Sequence, residues 1–404
     1  MVNQAVILAG GLGTRLGPAT RHTPKPLIEV AGLPFLDHVL WNVARHGIRR
    51  VLLLTGHLAP AFEARYGDGR AHSVRIEYAV EPEPAGTGGA LALAASHLDG
   101  RFLLLNGDTL FDLNYLALAA RLDDGALGSV ALRRVDDVSR YGAARLRGGR
   151  VEAFAEKAES GRGAINGGVY VMRREAVERL PAGPSSLERD LLPGLAAEGR
   201  LAGAVYDGFF VDIGVPEALA VAGASVASWR RKPALLLDRD GTMNVDRGWV
   251  HRPEEFVWIE GAREAIRWAN DRGILVLVIT NQAGIARGLY TETEFRAFTD
   301  WIDGQLAAVG AHVDATYHCP HHPTEGHGEY RRPCRCRKPA PGLLERALAD
   351  WGFDPARSVL VGNAAHDLEA ATTAGIRGVR FSGGSLIECV EQVFTDSAIP
   401  ATVT

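Results

Sequence analysis

A short apolar run that ends in a loop suited to phosphate occurs twice in this chain, and that repetition constrains the fold more than any other feature. Residues 5–8 run into Gly10-Gly11-Leu12-Gly13-Thr14-Arg15, and residues 234–237 run into Asp238-Arg239-Asp240-Gly241-Thr242. Around each loop, strand-length apolar runs alternate with stretches of helical spacing. The pattern predicts strands over 5–8, 51–55, 75–79 and 102–105, with helices over 35–46 and 88–98. A small, alanine-rich closing helix over 217–229 and a hinge over 230–233 follow, and then strands resume over 234–237, 274–280, 315–317 and 359–361. Such alternation builds parallel strands with helices on both faces, and ligands collect at the carboxyl ends of those strands, where both loops lie.

At 404 residues the chain exceeds what one core normally serves. The expected architecture is two doubly wound, Rossmann-like α/β domains, over residues 1–229 and 234–390. A net charge of −4, from 44 basic and 48 acidic residues interspersed, gives no reason to expect nucleic acid or an anionic membrane as partner. Neither a signal peptide nor a membrane span is expected, because the opening residues lack a basic segment before a long apolar core and the apolar run over 274–279 is far too short. Of the four cysteines, Cys319, Cys334 and Cys336 fall within eighteen residues and Cys389 stands alone. With the cluster assigned to a metal, no disulfide framework is left, and a reducing cytoplasm is the expected setting.

In the first loop, glycines without side chains let backbone N–H groups approach phosphate oxygens, while Arg15 and Lys25 neutralise charge on departing pyrophosphate. It is not a P-loop, lacking Gly-Lys-Ser/Thr, nor a dinucleotide fingerprint, since Leu16 stands where the third glycine belongs. Together with Pro24-Lys25-Pro26-Leu27, it resembles the sugar-1-phosphate nucleotidyltransferase family, over about residues 5–217. The resemblance implies that Leu8, Gly10, Gly11, Gly13, Thr14, Glu81, Gly86 and Thr87 bind the nucleotide, the last three in a base-reading loop. It implies that Asp108, in Asn106-Gly107-Asp108, and Asp212, in Val211-Asp212-Ile213-Gly214, hold magnesium (Mg2+), with Arg15 and Lys25 at the reacting phosphates. Glu156, Lys157, Asn166 and Gly168 match the family's sugar side. Glu81 offers two acceptors that match the N1–H and N2–H donors of guanine, and it can also accept from cytosine's exocyclic amine.

The second loop resembles the first motif of the haloacid-dehalogenase superfamily, with Thr280-Asn281 and Arg337-Lys338-Pro339 matching the second and third motifs in order, over about residues 234–381. The resemblance implies that Asp238 is the nucleophile and Asp240 the acid–base, and that Thr280 and Lys338 hold the phosphoryl group. Asn281 and Arg337 are assigned to the sugar phosphate. Magnesium falls to Asp238, Asp240, Asn363 and Asp367, although the fourth motif reads Val361-Gly362-Asn363 where the superfamily usually has an aspartate. Cys319, His321, Cys334 and Cys336 have the ligand types and spacing of a closed, structural zinc (Zn2+) site that shapes the loop into Arg337 and Lys338. No bulky cap fits between Thr280 and Lys338.

Within that superfamily the second half resembles the heptose-bisphosphate phosphatases, through residues 246–250, the run Thr280-Asn281-Gln282-Ala283-Gly284-Ile285-Ala286-Arg287-Gly288, and Cys319-Pro320-His321-His322-Pro323. The pair of resemblances implies successive steps with small-molecule substrates: release of the 7-phosphate from D-glycero-α-D-manno-heptose 1,7-bisphosphate, then transfer of GMP from GTP to the 1-phosphate. Two alternatives stay open at this point. One is a hexose-1-phosphate transferase using CTP or dTTP joined to a histidinol-phosphate-like phosphatase. The other is a C-terminal half reduced by Asn363 to a zinc-stabilised scaffold. Oligomeric state is not readable from the sequence.

Overall fold

The structure is a computed structural model that describes residues 2–11, 13–138, 143–154 and 161–396, excluding the side chains of Thr14 and Ala19. It divides into two compact units, Met1–Ala227 and Ser228–Val403. Helix Pro216–Arg230 carries the chain from one to the other.

In the first unit, strands Gln4–Leu8, Arg50–Thr55 and Arg101–Asn106 are buried along nearly their whole length, as expected of strands covered on both faces. They pair in parallel, with Arg75–Val80 on the outer side of Arg50–Thr55. Beyond Arg101–Asn106 the sheet changes character, because the long strand Gly163–Arg173 pairs antiparallel both with it and with Gly128–Val135. Leu201–Tyr206, Arg150–Phe154 and Ala144–Arg147 complete the order. The winding therefore reverses at Gln4–Leu8, which has Arg50–Thr55 on one side and Arg101–Asn106 on the other, as expected of a doubly wound sheet; the far side adds antiparallel pairings, with Leu201–Tyr206 parallel to Gly128–Val135. Gly163–Arg173 shifts register between Asn166 and Tyr170. That irregularity falls beside the end of Arg101–Asn106, and bulges of this kind re-aim side chains near sites. A separate ribbon pairs Asp212 with Thr109. The helix expected over 88–98 is Gly86–Leu93, followed by a single tight turn at Ala95–His97.

The second unit holds a five-stranded parallel sheet in the order Ala315–Cys319, Leu275–Asn281, Ala234–Leu237, Val359–Gly362, Arg377–Arg380. Ala234–Leu237 is central and wholly buried. From it the chain winds first to one side and then to the other, so its carboxyl end is the switch point where such sheets bind ligands. Asp238 is the next residue. Helix Glu292–Ala308 starts at a capping box in which Thr291 and Glu294 satisfy each other's backbone N–H, and it buries Phe295, Phe298, Ile302 and Leu306. Between Thr280 and Lys338 the described residues form that helix, strand Ala315–Cys319 and short turns, with no separate cap domain. No helix among the described residues is long and apolar enough to cross a membrane.

Candidate active sites

In the first unit the glycine loop leaves strand Gln4–Leu8 at Ala9, and the Leu8 carbonyl accepts from Gly107 N at 2.9 Å, tying the loop to the strand end that carries Asp108. Any Cβ on Gly10 would collide with the Glu81 carboxylate, so glycine is what lets Glu81 reach the loop. Glu81 Oε2 accepts from Ala85 N at 2.9 Å, and burial raises this carboxyl above its ordinary range. Gly11 has open space around its Cα, Gly13 takes a left-handed turn (φ 64°), and Arg15 is exposed. Gly86 and Thr87 are engaged within the unit. Gly88 N and Gly89 N donate to Ser185 O, while the Thr87 hydroxyl donates to Glu188 and accepts from Leu187 N.

The ribbon pairing of Thr109–Phe111 with Phe210–Asp212 brings Asp108 and Asp212 together, and Ile213 N donates to Asp108 O at 3.0 Å. Lys25 is buried and forms an ion pair with Asp108. Gly214 N donates to Asp212 Oδ1 at 2.7 Å. Burial and then the Asp108 charge raise the Asp212 carboxyl, opposed by Lys25, the Gly214 N–H and Arg15. Two carboxylates with too little positive charge between them are a donor set for a hard divalent cation, so magnesium fits Asp108 and Asp212. On the sugar side, Gly168 (φ 70°) lies so close to Asn106 that a Cβ would stand 2.8 Å from its amide nitrogen. Asn166 is fixed by donating to the Tyr170 hydroxyl at 2.6 Å and accepting from Gly168 N at 3.1 Å. Glu156, Lys157 and the Thr14 side chain lie outside the described residues.

In the second unit Lys338 is the hub. It is 2% exposed, and its ammonium reaches Asp238 Oδ1 at 2.7 Å, Ile279 O at 2.6 Å and Asp367 Oδ1 at 2.6 Å. Asn281 clamps the Lys338 backbone from both sides, its amide nitrogen donating to Lys338 O and its oxygen accepting from Lys338 N, each at 3.1 Å. Asn281 thus positions Lys338, although it was assigned to the sugar phosphate. Arg337 donates to His321 O at 3.4 Å. Burial pushes the Asp238 carboxyl up to about 6 against the pull of Lys338. Asp367 also accepts from Ala364 N at 3.0 Å, so both its oxygens are engaged, and it reaches the site through Lys338. Asp240 is likewise surrounded by donors, from Arg239, Asn244 and Gln282. Asn363 stands against Gly241, whose positive φ (81°) and missing Cβ make room for the amide. Asp238 and Asn363 offer oxygen donors of the kind magnesium takes, with one charge fewer than an aspartate pair would supply.

Cys319, His321, Cys334 and Cys336 place their ligand atoms within 4.8 Å of one another. The sulfur–sulfur separations are 3.2, 3.3 and 3.6 Å, and His321 Nδ1 lies 3.3 Å from Cys336 Sγ. Tetrahedral zinc with Zn–S bonds of about 2.3 Å needs ligand atoms roughly 3.8 Å apart, so modest expansion of the cluster fits the ion. Burial and the neighbouring thiols push the Cys319 thiol above its ordinary range when no cation is present.

Sequence reasoning missed Arg239 and Gln282. Arg239 is 2% exposed, bonds Asp240 and Val250 O, and lies over the rings of Phe295 and Phe298. A charged residue between the two aspartates of the motif was the available signal for it. Gln282 sits immediately after Thr280-Asn281, but its partners come from segments that only folding brings near.

Residues 4–228 match the nucleotidyl transferase family and residues 335–388 match the HAD-hydrolase-like family. The D-glycero-beta-D-manno-heptose-1,7-bisphosphate 7-phosphatase of Haemophilus ducreyi is 46% identical over 147 residues, covering 36% of this chain and 80% of that protein. Its Escherichia coli K12 counterpart is 44% identical over 144 residues, covering 36% and 75%. Among solved structures, HddC from Yersinia pseudotuberculosis complexed with GMP-PN aligns with a TM-score of 0.51 at 31% identity, covering 56% of this chain and 100% of that one. The chain thus joins a transferase and a hydrolase: it belongs to the nucleotidyl transferase family through residues 4–228 and, through its second unit, to the heptose-bisphosphate 7-phosphatases of the HAD-hydrolase-like fold.

Proposed function

We propose that the second unit removes the 7-phosphate of D-glycero-D-manno-heptose 1,7-bisphosphate, and that the first unit joins the remaining 1-phosphate to GMP from GTP, giving GDP-heptose and pyrophosphate. One observation carries this reading: a unit shared with phosphatases named for that bisphosphate stands on the same chain as a unit shared with a transferase solved with a guanine nucleotide analogue. The α configuration at C1 comes from the sequence resemblance, whereas the phosphatase relatives carry the β form in their names.

In the phosphatase step Asp238 bonds to phosphorus as the ester bond breaks and Asp240 gives its proton to the leaving ester oxygen; water, losing a proton to Asp240, then attacks that phosphorus and frees Asp238 and inorganic phosphate. Lys338 stands beside Asp238 as a fixed positive charge for the phosphoryl oxygens. In the transfer step a 1-phosphate oxygen attacks the α-phosphorus of GTP and pyrophosphate leaves, with Lys25 and Arg15 neutralising charge, so that no covalent nucleophile is needed. Asp108 and Asp212 in one unit and Asp238 and Asn363 in the other would hold magnesium, which when bound would add charge neutralisation at the phosphates. The base and the anomer are tested by offering the protein GTP, CTP, dTTP and UTP, each with the α and the β heptose 1-phosphate. GTP with the α sugar is expected to give the highest kcat/KM, and a preference for another nucleotide would overturn the base assignment.

With four protein ligands, the Cys319/His321/Cys334/Cys336 cluster leaves no open position for substrate, so zinc there is structural. About one zinc per chain is expected by elemental analysis, because closed thiolate sites contribute folding energy directly. Cys334→Ser should lose the zinc and lower the thermal stability of the second unit. Protein purified without chelators and free of zinc would contradict the assignment.

A further inference from the structure

Gln282 is 2% exposed, and its side-chain amide is saturated. Its nitrogen donates to Asp240 Oδ2 at 2.9 Å and to Thr280 Oγ1 at 2.8 Å. Its oxygen accepts from the Tyr290 hydroxyl at 2.6 Å and from Arg239 Nη2 at 3.2 Å. The chemistry of the neighbours dictates which way the amide faces. A guanidinium only donates, so the amide oxygen must face Arg239 and the nitrogen is left to face Asp240. The far side is built to keep it there. Tyr290 is 4% exposed, stacks on His251 with ring centres 4.8 Å apart, and approaches over Gly284, where a Cβ would stand 2.7 Å from the tyrosine hydroxyl. The backbone is anchored as well, since Gln282 N donates to Cys319 O at 2.8 Å.

We propose that Gln282 is a positioning residue for the phosphatase reaction, with Tyr290 behind it, holding Asp240 and Thr280 in fixed register. The inference rests on the reading of Asp240 as the acid–base. In the first half-reaction an Asp238 oxygen bonds to phosphorus, the bond from phosphorus to the ester oxygen breaks, and a proton passes from Asp240 to that oxygen. An alkoxide cannot leave without the proton, whereas p-nitrophenolate leaves readily without it. A group that only orients Asp240 therefore matters in proportion to the basicity of the leaving group, and a group that merely stabilises the fold does not.

The test compares kcat on a sugar or alkyl phosphate with kcat on p-nitrophenyl phosphate, using full-length protein with magnesium. Gln282→Leu is expected to lose about 100-fold on the alkyl ester and only a few-fold on the nitrophenyl ester, within the usual range for acid–base assistance. Gln282→Glu keeps the acceptor for Tyr290 but sets an acceptor against Asp240, and it should show the same split. Tyr290→Phe should show a smaller one, of roughly 5- to 10-fold on the alkyl ester. Nucleotidyl transfer should be unchanged in all three, and an unchanged unfolding transition of the second unit by calorimetry controls for its misfolding. Asp240→Asn, assayed alongside, separates the two layers. If it shows no dependence on leaving group, the acid–base reading beneath the proposal fails. If it shows the dependence while the soluble Gln282 and Tyr290 variants lose both substrates equally or neither, the positioning role itself is overturned.

Discussion

Asp238→Asn is expected to lower phosphate release by at least about a thousandfold while nucleotidyl transfer continues at the unmodified rate, because it removes, with little change of shape, the carboxylate proposed to attack. Its place at the end of the buried central strand, bonded to Lys338 at 2.7 Å, supports its proposed role in the attack. The reciprocal pair, Asp108→Asn and Asp212→Asn, should stop nucleotidyl transfer and leave phosphate release intact. All the residues assigned to transfer lie before Ala227, and those assigned to hydrolysis lie after Ser228. Separate assays of inorganic phosphate and pyrophosphate distinguish the outcomes. A folded variant losing both activities would show that the two chemistries share a site.

Lys338→Met is expected to cost both activity and stability. Lys338 stands between Asp238 and Asp367, whose side chains are 9% and 0% exposed, and the substitution leaves two buried carboxylates with no cation between them. Removing one partner from a buried ion network typically costs about 3–5 kcal/mol, which for a unit of this size lowers the unfolding midpoint by roughly 6–20 °C. In magnesium-free buffer one calorimetric transition should fall by that amount while the other stays in place. Added magnesium should recover part of the loss, since the ion restores positive charge beside Asp238. An unchanged midpoint would mean that the carboxylates are accommodated without Lys338, and the hub described for the site would be wrong.

The parallel strands were legible because burial on both faces writes itself as continuous apolar sequence, as in Leu235-Leu236-Leu237 and Leu52-Leu53-Leu54. Some strands beyond Arg101–Asn106 were not, because they carry arginines at one face or end. Gly128–Val135 is buried for five residues and then reaches Arg133 and Arg134, and Ala144–Arg147 is mostly exposed. The residues proposed for the chemistry stand in motifs legible in the sequence. What the motifs did not reveal was how those residues are held. Asp108 and Asp212 meet only through a ribbon of three-residue strands, too short to signal in sequence. The clamp of Asn281 on Lys338, the engagement of Asp367 by Lys338 and Ala364, and the Gln282 network all depend on side chains meeting across segments that no local spacing relates.

The central claim is that one chain performs two successive steps on one sugar, and a single reaction mixture tests it. Full-length protein, magnesium, heptose 1,7-bisphosphate and GTP are combined and followed by mass spectrometry, beside a parallel mixture containing Asp238→Asn. The expected course for the unmodified protein is loss of one phosphate and then appearance of GDP-heptose with pyrophosphate. The variant should make no GDP-heptose from the bisphosphate, yet make it at the ordinary rate when heptose 1-phosphate is supplied. A GDP-sugar that keeps its 7-phosphate, or no GDP-sugar from either substrate, would contradict the account.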